Sequence, residues 1–488
     1  LVDAKPVSGS DGSAVEAGGY QQELKRTLGS FQVFAISFAF ISVAVGIFGT
    51  YDDVLQNSGP VGIWLWIIVA AGQLLVALVV AQFAARISLS GSSYQWASRL
   101  ANPKIGWGFG WLTFCYLVLG VVAVDNALAS TAFMPLAGIA PDEDTARWIT
   151  LGLLLVQAIL AIASTRIVSL INSAAVGIEL TLVVVVTVAL VVAVLVTGDG
   201  SVDNLTSRGV TMDAPGYFAV GGGLMLAMIM GLATLVGFDA AANLAEEAKD
   251  PFRTVPRAIV GSVAAAGLLG ILFLIALTVS IRDIPSISAS GSPVAAIMRD
   301  RLGPGMEKAL LVAVTFAFFG AGMVVMTTCS RIVFAMSRDA RFPGHRIMGR
   351  VNARTHTPIP ATVLIFVLGV LLMLVVPGAA LLNLITASTI LPAIIYGSTI
   401  VLYLAVRKRL DRRKGAFDLG RFEMPVAIGA LVWSAVALFF LVAPPESLVP
   451  VVMVGGLLLV GGLFFLWMLL FRRESLETEP GDFTVFQH

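Results

Sequence analysis

Charge is scarce in this chain. Only 12% of its 488 residues are Asp, Glu, Lys or Arg, roughly half the share of an ordinary soluble domain. Cysteine is rarer still: the two present, Cys115 and Cys329, both lie inside apolar runs, so neither a disulfide framework nor a thiolate metal site is expected. The three histidines, His345, His356 and His488, are too scattered to build a metal centre. None sits in an apolar run and no His-Glu-x-x-His occurs, so no cofactor and no membrane-embedded hydrolase is expected. The net charge of +1 leaves no basic footprint for nucleic acid. What the chain has in quantity is hydrophobic side chains, 58% of the total, more than one soluble core needs.

Those side chains fall into twelve long runs, at about 31–50, 61–83, 107–133, 147–164, 171–196, 217–243, 258–281, 308–334, 359–376, 381–405, 425–443 and 450–471. A helix needs about 20 apolar residues to cross hydrocarbon. The runs are continuous rather than alternating, which favours helices over barrel strands. The expectation is an all-α polytopic membrane protein with twelve transmembrane helices in the lipid bilayer. Residues 1–30 are polar and read as a disordered tail, and 472–488 as a second tail. Of the 31 basic residues, only Arg147, Arg208, Arg282, Arg299, Arg301 and Lys308 fall on one side of the twelve crossings. Basic loops stay inside, so both tails are placed in the cytoplasm and the protein in the cell membrane. The discordant loop 282–308 contains Pro293 to Leu302, which reads as a short helix on the outer surface.

Two runs carry interruptions. Span one reads Ser42-Val43-Ala44-Val45-Gly46, followed by Gly49. Span six reads Thr234-Leu235-Val236-Gly237-Phe238-Asp239. A loosened backbone inside a bilayer is tolerated only where protein or a cavity covers it. Paired breaks in corresponding helices point to a transporter site built from an inverted repeat. That arrangement makes residues 31–196 the first five-helix half and 217–405 the second, with 425–471 outside both. Half-helix amino ends offer N–H groups to a carboxylate, and carboxyl ends offer carbonyls to an ammonium. The break at Ser42 to Gly46 would then hold an acid group and that at Thr234 to Phe238 an amine.

Acids at membrane depth are costly and mark function by default. Asp125 in span three is read as a counter-charge for a substrate amine or part of an outer gate; the alternative is an acid satisfied by a neighbouring helix. Glu179 in span five is read as a carboxyl that takes up and releases a proton, against a permanently protonated helix contact. Asp239 is expected to cap the helix half that follows it. Gln73, Gln82 and Gln157 read as interhelical contacts.

Three loop segments then resemble the amino acid–polyamine–organocation superfamily. The first is Ala81-Gln82 through Gly91, Tyr94 and Trp96. The second runs from Gly237-Phe238-Asp239 through Glu246-Glu247 and Pro251 to Pro256-Arg257-Ala258-Ile259. The third is Ser330-Arg331 through Ala335, Arg338-Asp339 and Pro343. Gln82 stands where the family usually has an acid, and Ser88 where it has proline. The Val124-Asp125 pair in span three and the form of the span-one break resemble the branch handling amino acids, 4-aminobutyrate, choline and related amines. The resemblance implies a leucine-transporter-type core of ten helices with spans one and six broken, plus two more helices. It implies that Arg331, Arg338 and Asp339 hold a closed inner gate. It also implies driving by protons, sodium or exchange.

The leading expectation is a secondary active permease importing a small amine-bearing solute, an amino acid or 4-aminobutyrate, with protons by alternating access. A choline, ethanolamine or polyamine carrier and an exchanger are the alternatives, and sodium coupling is a further one. A receptor that binds without carrying would be expected to add large soluble segments.

Overall fold

The computed structural model describes residues 26–140, 142–290, 292–376, 378–410 and 417–478. Residues 1–25 and 479–488, most of the two expected tails, lie outside them. Ten apolar helices are long enough to cross a membrane, and two shorter ones, Gly223–Thr234 and Ile359–Val375, complete the twelve expected crossings. Among the described residues there is no strand, only an isolated bridge between Leu28 and Ala248. The chain is a multi-pass membrane protein.

Span one is two helices, α1 (Ser30–Ile41) and α2 (Val43–Asn57). A 3-10 turn at Pro60–Trp64 leads into α3 (Leu65–Ala84), and α4 (Ser92–Leu100) follows. Helix α5 (Pro103–Ala127) runs on through a π-helical turn at Leu128–Phe133. Then come α6 (Glu143–Ala163) and α7 (Thr165–Thr197), which begins six residues earlier than its apolar run. Span six is α8 (Gly223–Thr234), a bend, and the short α9 (Ala240–Asn243). Residues 217–222, expected inside this span, lie before α8. Helix α10 (Pro251–Val279) follows, then α11 (Pro293–Leu302), the short helix expected in the loop before span eight. The remaining crossings are α12 (Pro304–Arg338), α13 (Ile359–Val375), α14 (Gly378–Val406), α15 (Glu423–Val442) and α16 (Leu448–Phe471). A last turn, α17 (Arg473–Glu477), ends the described chain.

Helix α12 has 35 residues, about 50 Å at 1.5 Å each, against roughly 30 Å of hydrocarbon. The excess carries Arg331 and Arg338 beyond the apolar core. Helices α7 and α16 keep outward apolar stripes, such as Val184, Val188, Val191 and Leu195 on one and Leu459, Leu463, Leu466 and Leu470 on the other. Lipid is the solvent such surfaces require.

Both ends of the described chain meet on one face. Leu28 accepts the Lys249 N–H at 2.9 Å, and the N–H groups of Thr27 and Leu28 reach the Glu247 carbonyl at 3.0 Å. Residues 26–30 are therefore tied down rather than part of a loose tail. On the same face the buried Arg341 donates to the carbonyls of Ser475 at 2.9 Å and Thr478 at 2.6 Å, and to the Tyr94 and Ser98 hydroxyls.

Candidate functional site

A helix that starts inside the protein leaves the N–H groups of its first turn without carbonyl partners. Helix α2 starts in this way. Ser42, between α1 and α2, has φ 38° and ψ 88°, the left-handed region that a non-glycine residue seldom enters. Its N–H closes α1 on the Phe38 carbonyl at 2.8 Å, and its own carbonyl takes the Gly46 N–H at 2.9 Å. Its hydroxyl donates to Oε1 of Glu179 at 3.1 Å, and the Ala44 N–H donates to the same oxygen at 3.0 Å. Glu179 is 1% exposed. The structure thus joins two features separate in the sequence, the span-one break and the span-five acid. The Ala44 amide, expected to receive a solute's acid group, here holds a carboxylate of the protein.

Gly46 lies one turn into α2 against α8. A Cβ built on it would overlap the Thr234 side chain, so only glycine permits this approach. Val43 and Ala44 are buried, while Val45 is half-buried against the core. Thr234 turns its hydroxyl back to the Met230 carbonyl at 2.7 Å. Gly49, by contrast, has open space where its Cβ would be.

The span-six bend is held from three sides. Gly237 has φ 75°, a conformation that suits glycine, and Phe40 of α1 fills the space its side chain would occupy. The Gly237 N–H donates to the Tyr396 hydroxyl of α14 at 2.9 Å, which donates to Oδ1 of Asp239 at 2.8 Å. Tyr396 also stacks on Phe238, with ring centroids 4.7 Å apart. The Phe238 carbonyl accepts the Ser37 hydroxyl at 2.7 Å, and the Gly237 carbonyl accepts the Ala240 N–H at 2.9 Å. Leu235 is buried with its N–H on the Gly231 carbonyl, and Val236 packs against the core. Asp239 does not cap α9 as expected. Its carboxylate accepts from Tyr396 and, at 3.2 Å, from the Ser92 hydroxyl of α4.

Asp125 is fully buried and accepts from Gln157 of α6 at 2.7 Å. Gly322 of α12 lies so close that a Cβ there would meet both side chains. No hydrogen bond among the described residues joins Asp125 to either break, and the amide on the neighbouring helix is the alternative named for it. Arg331 pairs with Glu247 at 2.8 Å and donates to Thr165, Arg338 pairs with Glu246 at 2.9 Å, and Asp339 accepts from Tyr94 at 2.5 Å. These join α12 and α4 to the segment after span six.

Sequence reasoning missed Tyr396, Ser92 and Tyr116. Tyr116 of α5 is 4% exposed, and its hydroxyl has no hydrogen-bond partner among the described residues. Its ring lies 6.1 Å from that of Phe40, which covers Gly237. The available signal was a phenol inside an apolar run, in a chain with only seven tyrosines; a buried hydroxyl needs a partner.

The chain is also similar to known proteins along most of its length. A profile described as amino acid permease matches residues 28–456. The amino-acid permease BAT1 of Arabidopsis thaliana is 28% identical over 88% of this chain and 87% of its own length. The GABA-specific permease of Saccharomyces cerevisiae is 28% identical over 86% of this chain and 75% of its own length. Amino-acid permease 2 of Neurospora crassa is 27% identical over 93% of this chain and 87% of its own.

Proposed function

The chain belongs to the amino acid permease family, and from that premise we propose that it imports a small amine-bearing acid, an amino acid or 4-aminobutyrate, together with protons. The observation that carries the reading is the buried carboxyl of Glu179 seated on the opening turn of α2, across from the bent segment of span six. A solute held between the two breaks would meet the amino end of α2 with its acid group and the carbonyl end of α8 with its amine. No cation reaches Glu179 by a hydrogen bond or ion pair among the described residues. A group so placed exchanges its proton when its surroundings change between water and protein.

The site proposed comprises Ser42 to Gly46, Thr234 to Phe238 and the coupling carboxyl of Glu179, with Tyr116 and Tyr396 beside them. Asp125 is kept outside it, as a contact among α5, α6 and α12. Arg331, Arg338, Asp339 and Asp239 close the face that carries the chain ends. The excess of Lys and Arg on that face supports placing it in the cytoplasm, with the protein in the plasma membrane. The first and second sets of five spans are taken as the two repeats.

The test is uptake into proteoliposomes under an imposed proton or sodium gradient. A proton gradient should drive accumulation of labelled 4-aminobutyrate or an amino acid, and Glu179→Gln should abolish that accumulation. Accumulation by the variant equal to the wild type across a pH gradient would remove the coupling role.

A further inference from the structure

We propose that Glu179 is a resident carboxylate standing where the solute's own acid group binds, so that a carboxylate solute and an ionised Glu179 exclude each other. The inference deepens the proposed function and rests on it. The opening turn of α2 is one anion site, a helix amino end with its dipole. Its Gly46 amide is already in the helix ladder through the Ser42 carbonyl. The Ala44 amide and the Ser42 hydroxyl both end on Oε1 of Glu179. A second carboxylate brought to those donors would meet a like charge in a buried setting, which is strongly unfavourable.

Protonation resolves the conflict. Oε2 of Glu179 accepts no hydrogen bond among the described residues and is the oxygen that takes the proton. The neutral acid is a weaker acceptor, so the Ala44 N–H and Ser42 hydroxyl become available to a solute carboxylate. The site carries one negative charge either way, first on Glu179 and then on the solute. Proton and acid therefore enter as a pair, and a zwitterion carries one net positive charge across. An independent observation supports a polar ligand nearby: the buried hydroxyl of Tyr116 has no hydrogen-bond partner among the described residues, and its ring lies 6.1 Å from that of Phe40, which covers Gly237.

Among the described residues no other ionisable group competes at this point. Helices α1, α6, α10, α11 and α12 pack on α7. Helix α1 has no charge. The others carry theirs toward their ends: Glu143, Asp144 and Arg147 on α6, Arg253 and Arg257 on α10, Arg299, Asp300 and Arg301 on α11, and Glu307, Lys308, Arg331 and Arg338 on α12. Arg166 opens α7 itself, and Asp52 and Asp53 lie past the middle of α2. The neutral but titratable Tyr51 and Cys329 are bonded elsewhere, to Thr278 and to the Phe114 carbonyl.

The experiment is equilibrium binding to the purified full chain from about pH 5 to 8, with two probes of equal length. One is 4-aminobutyrate and the other butylamine, in which a methyl replaces the carboxylate. Above the point where Glu179 ionises, 4-aminobutyrate should weaken by about tenfold per pH unit, the slope of one linked proton. Butylamine should hold constant or tighten. Glu179→Gln should bind 4-aminobutyrate tightly with no pH slope. Ser42→Ala, which removes one donor from the carboxylate, should move the onset of the slope to higher pH and guards against misfolding of the first variant. The same pH course for both probes, or a slope that survives in Glu179→Gln, would overturn the exclusion. Should that happen while Glu179→Gln still loses proton-driven accumulation, the coupling role stands and only the exclusion falls. Failure of both probes and of labelled amino acids to bind at any pH would bring down both readings.

Discussion

The two faces of the molecule differ in the charge they bury: both carry exposed pairs, such as Lys104–Glu477 and Arg473–Glu477 at the chain ends, but among the described residues the dry arginine pairs lie on one face. On the face with the chain ends, Arg331–Glu247 and Arg338–Glu246 are dry, each side chain no more than 5% exposed. On the other face, Arg282 pairs with Asp199 and Asp300 while 41% exposed, and Arg299 pairs with Glu307 while 68% exposed. A dry pair is weak evidence for stability, since desolvation offsets the attraction. It does make the arrangement discrete: removing one partner strands a buried charge, so the contact is either made whole or broken with the helices apart. A wet pair tolerates intermediate geometries. The first face thus adds contacts of the all-or-none kind, with both ends of the described chain bonded over it.

The largest effect expected follows from that contrast. Arg331→Met should destabilise the protein by about 3–5 kcal/mol, because Glu247 stays buried without a counter-charge. Thermal unfolding of the purified protein would read it. Adding Glu247→Leu should recover most of the loss, since two apolar residues replace two charges. A single variant that costs no more than a surface pair would erase the distinction between the faces.

The midplane lies between these extremes. Gly46→Val should cost about 1–3 kcal/mol by overpacking and abolish uptake, because α2 and α8 touch where its side chain would stand. Gly46→Ala combined with Thr234→Gly should restore part of the uptake by returning the space. A functional Gly46→Val would show that the two helices do not meet in the transport cycle.

How far this was legible from the sequence varies by region. The crossings were, because hydrocarbon demands long apolar runs and nothing else in a sequence imitates them. The bend in span six was, because Gly237 takes a left-handed conformation that marks itself as glycine. The break in span one was located but its agent was not. Ser42 is not a residue type that announces a left-handed turn, and what accompanies it there, Glu179, is 137 residues away. No local pattern encodes such a pair. Asp239 misled for a related reason: Asp before a helix ordinarily caps it, but tertiary partners Tyr396 and Ser92 took its oxygens first. The pairs Arg331–Glu247 and Arg338–Glu246, 84 and 92 residues apart, were approachable only through the resemblance of their loops.

Two tyrosines sharpen the midplane further. Tyr396→Phe removes the hydroxyl that links the Gly237 N–H to Asp239 and should cost about 1–3 kcal/mol through the unsatisfied groups left behind. Tyr116→Phe removes a hydroxyl that has no partner among the described residues, so stability should hold or rise while 4-aminobutyrate binding weakens. Unfolding and binding measured on both variants separate a residue that holds the bend from one that waits for the solute. Equal losses of stability would place Tyr116 in the scaffold.

The smallest effect belongs to the open face. Arg282 ties Asp199, just past the end of α7, to Asp300 on α11, so on geometry alone it bridges as many elements as Arg331 does. Exposure reverses the ranking. Water solvates its guanidinium before and after the contact forms, and exposed pairs are worth about 0.2–1 kcal/mol. Arg282→Ala should therefore shift unfolding by no more than that, and the shift should vanish near 1 M salt, where the screening length falls to about 3 Å. The Arg331→Met loss, shielded from ions by packing, should survive the same salt. If salt removed both losses alike, the inner pair would be reached by solvent, and the discreteness attributed to that face would go with it.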